Sequence, residues 1–384
     1  MKAFFLLLSL LFLTGCSSSD IPETTAAVAE TTIPLQTTSP EITVAEREPI
    51  DSIEALLGNT SLEQRVGQLF LARCNDATAL NDIGSYHLGG FVLFGVDFDG
   101  QTPDSIREKI TAYQAAASIP MLISVDEEGG TVNRISSNTA FRSSPFPSAR
   151  ESYTKGGLEQ MLAVEEEKCQ LLSSLGIQVN LGPVCDISTQ PDAFMYQRSL
   201  GLEPQETATA VAATVRVMNA YKIGSVLKHF PGYGNNADTH TGIAVDERSL
   251  AQLEENDLIP FLSGFQTGAD AVMVSHTIVQ ALDAEHPASL SPAVHDYIRN
   301  VMGYDGVIIT DDLVMQAITD RYGAGEAAVM AVLAGNDLLC STDYVTQYEA
   351  VLAAVREGRI DMDTLNSAVR RVLRWKQSLN LIIG

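Results

Sequence analysis

Short apolar runs recur through residues 51–384 and alternate with longer stretches whose apolar positions fall at helical spacing. Gly89-Gly90-Phe91-Val92-Leu93-Phe94 is the first clear strand and Pro120-Met121-Leu122-Ile123-Ser124-Val125 the second. Ile177 to Leu181, Ser225 to Leu227, Ala271 to Val274, Gly306 to Ile309 and Asp337 to Leu339 continue the series. Amphipathic helices are predicted between them, over Leu158 to Leu172, Thr207 to Tyr221 and Gly325 to Leu333. Ser61-Leu62-Glu63-Gln64 reads as a capping box opening a helix that runs through Val66 and Leu69. Near-continuous apolar strands alternating with helices mean a parallel sheet covered on both faces. Seven such units in about 330 residues predict an α/β fold of the TIM-like (β/α)8 barrel type rather than a doubly wound sheet. The pattern does not place an eighth strand.

Five of the predicted strands end in a polar group. The second runs into Asp126-Glu127-Glu128-Gly129-Gly130 and the third into Gly182-Pro183-Val184-Cys185-Asp186. The fourth ends in Lys228-His229, the fifth in Ser275-His276 and the sixth in Thr310-Asp311-Asp312. In a barrel these ends share the C-terminal rim, where such enzymes carry their chemistry. After the fourth strand, KHFPGYGNNADTHTG (residues 228–242) breaks into a glycine-rich loop carrying Asp238 and His240 two residues apart. A carboxylate and an imidazole on a loop beyond a strand end suit proton transfer. Taken singly, Asp126, Asp186 or Asp311 reads equally well as a helix N-cap. Five polar ends with Arg198 and the Asp238/His240 loop between them point instead to a site.

The rest of the composition narrows what that site does. The formal charge is −24, most of it on residues 51–384. So acidic a surface argues against nucleic acid and against adhesion to anionic lipid. No P-loop, no G-x-G-x-x-G after a strand, no H-E-x-x-H and no Cys/His set is present, so neither a metal nor a cofactor is expected. Cys74, Cys169, Cys185 and Cys340 lie far apart and read as small buried apolar residues. Carboxylates facing a neutral polyhydroxy substrate suggest glycoside chemistry. There, one carboxylate attacks or stabilises an oxocarbenium-like centre while a second group moves a proton. The residues alone leave Asp311 and Asp312 equal, because alternation says only that they point opposite ways.

The first 50 residues read as an address and a tether. The apolar run Ala3 to Leu13 after Lys2 is too short to span a membrane comfortably and fits a secretory signal. It ends in Leu13-Thr14-Gly15-Cys16, which resembles the lipobox of bacterial lipoproteins and implies cleavage after residue 15 and lipid attachment at Cys16. Residues 17–50 hold eleven Ser or Thr, four Pro, six acidic residues and no aromatic, the composition of a disordered linker. The expected organisation is a signal peptide over 1–15, a lipidated Cys16 and linker over 16–50, and a catalytic barrel over 51–384. The expected location is extracytoplasmic, with membrane attachment only through the lipid.

The stretches SLEQRVGQLF, ISVDEEGGTVNRI, NLGPVCDI, QRSLG, KHFPGYG, ADTH, VMVSH and GVIITDDLVM together resemble the catalytic barrel of glycoside hydrolase family 3. More narrowly, they are similar to its single-domain β-N-acetylglucosaminidases, also called β-N-acetylhexosaminidases. The resemblance covers about Ser61 to Ala334 and implies a set of roles. Asp311 matches the catalytic nucleophile, and Asp238 with His240 matches the acid/base dyad. Asp126, Arg198, Lys228 and His229 match residues that grip sugar hydroxyls, while Asp186 and His276 match supporting positions behind them. The implied activity is a retaining exo-β-N-acetylglucosaminidase, expected to act as a monomer on N-acetylglucosamine-containing fragments of peptidoglycan or chitin. A β-glucosidase-type exo-glycosidase, a β-N-acetylglucosaminide phosphorylase and a non-catalytic sugar-binding lipoprotein are the alternatives. Two features depart from the family pattern. The run from Gly234 to His240 is about one residue short, and Tyr233 and Asn235 stand where His and Asp are more usual.

Overall fold

The computed structural model describes residues 52–236, 238–239 and 242–382. The signal, Cys16, the linker and His240 lie outside the described residues. Eight strands form the barrel: β1 (Phe70–Arg73), β2 (Gly90–Leu93), β3 (Leu122–Val125), β4 (Val179–Asn180), β5 (Gly224–Phe230), β6 (Ala271–Val274), β7 (Val307–Thr310) and β8 (Leu339–Ser341). All pairs are parallel, in the spatial order β8-β1-β2-β3-β4-β5-β6-β7. A parallel bridge between Ile309 and Leu338 joins β7 to β8 and closes the ring. Consecutive strands are connected through helices, the long ones being Pro103–Ala116, Ala149–Leu175, Pro204–Ala220 and Ala324–Ala334.

The strand sequences explain the two-layered core. Leu71, Val92, Leu122, Val226, Ala271, Met273, Val307 and Ile309 pack together inside the barrel. Their chain neighbours Phe70, Ala72, Phe91, Ile123 and Leu339 face the helices on one side, and Leu227, Val272 and Ile308 on the other. Period-two alternation therefore separates two apolar layers, which is why the strands read as continuous apolar runs. Each fully buried aliphatic side chain contributes roughly 1.5–3 kcal/mol relative to exposure.

The eighth strand is β1, the element the apolar pattern did not resolve. The capping box at Ser61 and Gln64 is formed, but its helix ends at Gly67 and β1 begins three residues later. A Cβ at Gly67 would lie 2.1 Å from the Tyr86 carbonyl oxygen, so the chain packs tightly where it leaves the helix. A lone Gly67 is the break between the helical period and the apolar Leu69-Phe70-Leu71-Ala72, and since a single glycine is tolerated inside a helical pattern the two merge in the sequence. At the opposite end of the chain, Val372 and Trp375 of helix Met362–Ser378 join the interior cluster. The indole lies against Gly224, where a Cβ would sit 2.9 Å from its Nε1. This helix seals the N-terminal mouth of the barrel and leaves the C-terminal rim as the open end.

Candidate active site

A cavity of about 670 Å³ opens among the C-terminal strand ends, lined by side chains that include Asp126, Arg198, Lys228, His229, Asp311 and Asp312. Strand register accounts for most of the placement. Leu122 faces the barrel interior, so Asp126, four residues on, points the same way. Val226 is interior and Lys228 follows two residues later. Val307 and Ile309 are interior, which turns Asp311 toward the cavity. Asp312 is held at the wall instead. Its carboxylate accepts from the Thr342 backbone N–H at 3.1 Å, the Thr342 hydroxyl at 2.6 Å and the Val314 N–H at 3.1 Å. Register thus turns the two acids different ways, and Asp312 is bonded to Val314 and Thr342 at the cavity wall.

One side of the cavity is a closed charge network. The Lys228 ammonium lies 2.6 Å from Asp126 and 2.7 Å from Glu128. Arg198 forks onto Glu128 through Nε at 2.9 Å and Nη2 at 2.6 Å. Burial alone would lower the Lys228 pKa, but the Asp126 and Glu128 carboxylates outweigh it and hold it up. Burial would likewise raise Glu128, yet Lys228 and Arg198 hold it well below the usual carboxylate range. Glu128, Lys228 and Arg198 therefore stay ionised near neutral pH, and with Asp126 they form a rigid alternation of donors and acceptors that suits neighbouring hydroxyls of a pyranose. Arg134 flanks Asp126 at 3.8 Å and lies over the Phe94 ring, which Arg73 covers from its own side.

His229 is fixed in one tautomer. Asp186 is buried, and it accepts from both the backbone N–H of His229 at 3.0 Å and the ring Nδ1 at 2.8 Å. With Nδ1 protonated, Nε2 accepts from Arg198 Nη2 at 3.3 Å. The second Asp186 oxygen takes the Tyr233 N–H at 2.7 Å, so one carboxylate anchors both the cavity-lining His229 and the start of the next loop. His276 is buried with Nδ1 on the Ser289 hydroxyl at 2.7 Å and Nε2 on the Asp312 carbonyl at 3.0 Å. It braces the Asp311-Asp312 turn from behind.

The loop after β5 carries Asp238, half-buried at its tip. Next to it Thr239 is fully buried, its hydroxyl against the Tyr233 phenol and its carbonyl accepting from the Ala317 N–H at 3.3 Å. Tyr233 stands edge-on to His229, ring centroids 5.3 Å apart, and to Phe194 at 5.6 Å. Burial first, and then the Asp311 carboxylate, push the Tyr233 phenol far above its ordinary pKa. Asn235 accepts from the backbone N–H groups of Thr189 and Gln190 and from the Ser188 hydroxyl. The two residues that departed from the expected pattern thus stitch this loop to its neighbours.

Sequence reasoning missed three charged groups at the site: Arg73 and Arg134, which line the cavity, and Glu128, which backs Lys228 and Arg198. Glu128 stood in the quoted strand end, but only Asp126 was singled out there. The signal was Gly129-Gly130, whose φ angles of +96° and +65° curl the chain so that both carboxylates reach Lys228. A Cβ at Gly129 would meet the Pro147 carbonyl at 2.2 Å. Arg134 follows the same turn, and Arg73 ends β1, the strand that was not placed. Away from the cavity, Cys74, Asp76 and Asp97 bring three possible metal-ligating atoms within 4.8 Å of one another. Arg73 already pairs with Asp97 and Lys109 with Asp76, and burial pushes the Cys74 thiol up to about 12. That donor set is an ion-pair network with a protonated thiol, poorly suited to a cation.

The comparison with known proteins is direct at this point. Residues 61–375 match the model of the glycosyl hydrolase family 3 N terminal domain. The chain belongs to that family. β-Hexosaminidase LpqI of Mycobacterium tuberculosis (strain ATCC 25618 / H37Rv) is 33% identical over 339 residues, 84% of this chain and 84% of that protein. A solved structure of M tuberculosis LpqI superposes with TM-score 0.78 at 29% identity, covering 84% of this chain and 96% of that one. A family 3 β-N-acetylglucosaminidase from Paenibacillus sp. str. FPU-7 gives TM-score 0.79 at 32% identity. That match covers 85% of this chain and 64% of that longer protein. As a family 3 member the protein is a glycoside hydrolase built on one barrel, and the rim cavity is where family 3 chemistry has room to occur.

Proposed function

We propose that the protein is a retaining exo-β-N-acetylglucosaminidase that removes terminal β-linked N-acetylglucosamine from peptidoglycan or chitin-type fragments. The observation that carries this reading is the cavity itself, a space sized for a sugar that Asp311 lines together with Asp126, Lys228 and Arg198 of the charge network. The β-N-acetylglucosamine specificity leans on the relatives, named β-hexosaminidase and β-N-acetylglucosaminidase. In the first step the Asp311 carboxylate attacks the anomeric carbon while the glycosidic C–O bond breaks, and His240 protonates the leaving oxygen. In the second, His240 takes a proton from water, the water oxygen bonds to the anomeric carbon, and the Asp311 carboxylate departs with its charge restored. Asp238 orients the imidazole and supports its basicity.

The test uses two aryl glycosides, an N-acetyl-β-glucosaminide and a β-glucoside, with the wild type and Asp311→Asn. The wild type is expected to prefer the first, and Asp311→Asn to lose on the order of 10³-fold or more in kcat with the fold intact. Preference for the glucoside would overturn the specificity, and normal turnover by Asp311→Asn would remove it as nucleophile.

A further inference from the structure

Both ends of the loop that carries Asp238 converge on one guanidinium. The loop leaves β5 at Pro231 and re-enters regular structure at Val245–Asp246, which pairs in parallel with Ile278–Val279. Arg248, just beyond, reaches back sixteen residues and donates through Nη2 to the Gly232 carbonyl at 2.8 Å. The same group grips Asp246 through Nε at 2.9 and 3.0 Å and Nη2 at 2.6 Å. Its Nη1 lies 2.6 Å from Asp257, the residue that opens helix Leu258–Thr267. Asp246 and Asp257 are both buried, so two carboxylates and a carbonyl are committed to a single cation.

The backbone is shaped to admit this arrangement. Gly232 and Gly234 have φ of +112° and +55°. A Cβ at Gly234 would fall 2.6 Å from Arg248 Nη1, and one at Gly232 would fall 2.8 Å from Asp257 Oδ1. Both glycines therefore hold the first turn of the loop directly against the ion pair. The guanidinium fixes the loop's entry, its exit and its orientation on a helix, and Asp238 lies in the stretch between these fixed ends.

We infer that Arg248, clasped to Asp246, Asp257 and the Gly232 carbonyl, is a positioning residue that sets the acid/base loop over the leaving-group side of the cavity. This rests on the reading of Asp238 and His240 as the acid/base dyad. A half-buried cation whose buried carboxylate partners span both ends of a loop removes most of the loop's freedom. Loss of that restraint misplaces the proton donor while leaving in position Asp126 and Asp311, which follow β3 and β7, and Lys228, which is held within β5 by Asp126 and Glu128.

The experiment compares Arg248→Met and Arg248→Lys with the wild type on an N-acetyl-β-glucosaminide with a good aryl leaving group and on one with a poor alkyl leaving group. Expected for Arg248→Met is a fall of about 10²-fold in kcat/KM on the poor leaving group and about 3-fold on the good one. Its kcat on the aryl substrate also falls, because the second step needs the base. Inhibition by free N-acetylglucosamine is expected to be unchanged, and Arg248→Lys to recover part of the loss. Equal losses in kcat/KM on both substrates, or weakened N-acetylglucosamine binding, would overturn the inference in favour of a merely structural role. Should Arg248→Met fail to fold, Gly234→Ala strains the clasp from the loop side and must give the same leaving-group split. If the wild type turns over neither glycoside, the activity assignment fails first, and that outcome is distinct from an unsplit loss in the variants.

Discussion

Two lysines buried at opposite ends of the barrel behave in opposite ways. Lys228 stands at the C-terminal rim, almost without exposure, and two carboxylates hold its pKa above that of a free lysine. Lys376 stands at the sealed base, on the helix that carries Trp375, and is equally buried. Its bonded partner is the neutral Gln68 oxygen at 2.5 Å, and burial lowers its pKa to about 7. Burial is common to both, so it does not distinguish a working site from a packed one. The difference is compensation: the rim gathers opposite charges around its cation, and the base supplies a single amide dipole.

Removing the rim lysine should do the most damage. Lys228→Met leaves Asp126 and Glu128 close together in a buried space with Arg198 as the main remaining cation. A broken buried ion pair of this kind typically costs about 3–5 kcal/mol. Asp126 and Glu128, on the proposed sugar-binding side of the cavity, would also shift, so kcat/KM should fall about 10²-fold or more. Denaturant midpoints and kinetics on the aryl N-acetylglucosaminide check both effects. A variant with near-normal stability and activity would mean that the network is ornamental.

The base lysine should give the opposite sign. Folded Lys376 has a pKa near 7 against 10.5 for the free group. Between those values the unfolded chain binds the extra proton, so its contribution to stability rises with pH from about 7 to 10.5. The stabilisation from Lys228 runs the other way. It is present below 10.5 and is lost only as pH climbs through its raised folded value. Lys376→Met is therefore expected to be more stable than the wild type at pH 7 by roughly 1–3 kcal/mol, after the unpaired Gln68 oxygen is counted against it. The advantage should shrink as pH approaches 10, with activity unchanged throughout. Thermal unfolding of the two proteins across that range decides it. A pH-independent difference would show that Lys376 is not the group responsible.

The same contrast explains what was legible in the sequence. Seven strands were visible because each is an apolar run flanked by breaks, and the polar strand ends followed from register alone. β1 was not visible, since Leu69-Phe70-Leu71-Ala72 continues a helical pattern in which the lone Gly67 is no sufficient break. Arg73 was lost with it. Glu128 was adjacent to a named residue but needed the Gly129-Gly130 turn to point at Lys228, and positive φ is not written in hydrophobic periodicity. Lys376 gave no signal at all. It lies within an amphipathic helix whose sequence does not reveal that one charged position faces the barrel. The Arg248 clasp was equally hidden, because Gly232, Asp246 and Asp257 meet only when the loop folds back on itself.

The smallest expected effect sharpens the comparison by separating catalysis from stability at the rim alone. Tyr233→Phe removes only the hydroxyl that meets Thr239, and the ring keeps its contacts with His229 and Phe194. Losing one neutral hydrogen bond should cost about 1 kcal/mol of stability. Thr239 sits between Asp238 and His240 in the sequence, so its slackening would reach the acid/base dyad proposed above. An expected fall of about 3- to 10-fold in kcat/KM with a poor leaving group, and less with an activated aryl group, would follow from a donor held less well. Lys376→Met moves stability without touching either number, and Lys228→Met moves both. If Tyr233→Phe lowered stability by several kcal/mol while leaving the leaving-group dependence flat, this tyrosine would belong with the base of the barrel in kind. The loop tip would then have to be held by something other than the Thr239 hydroxyl.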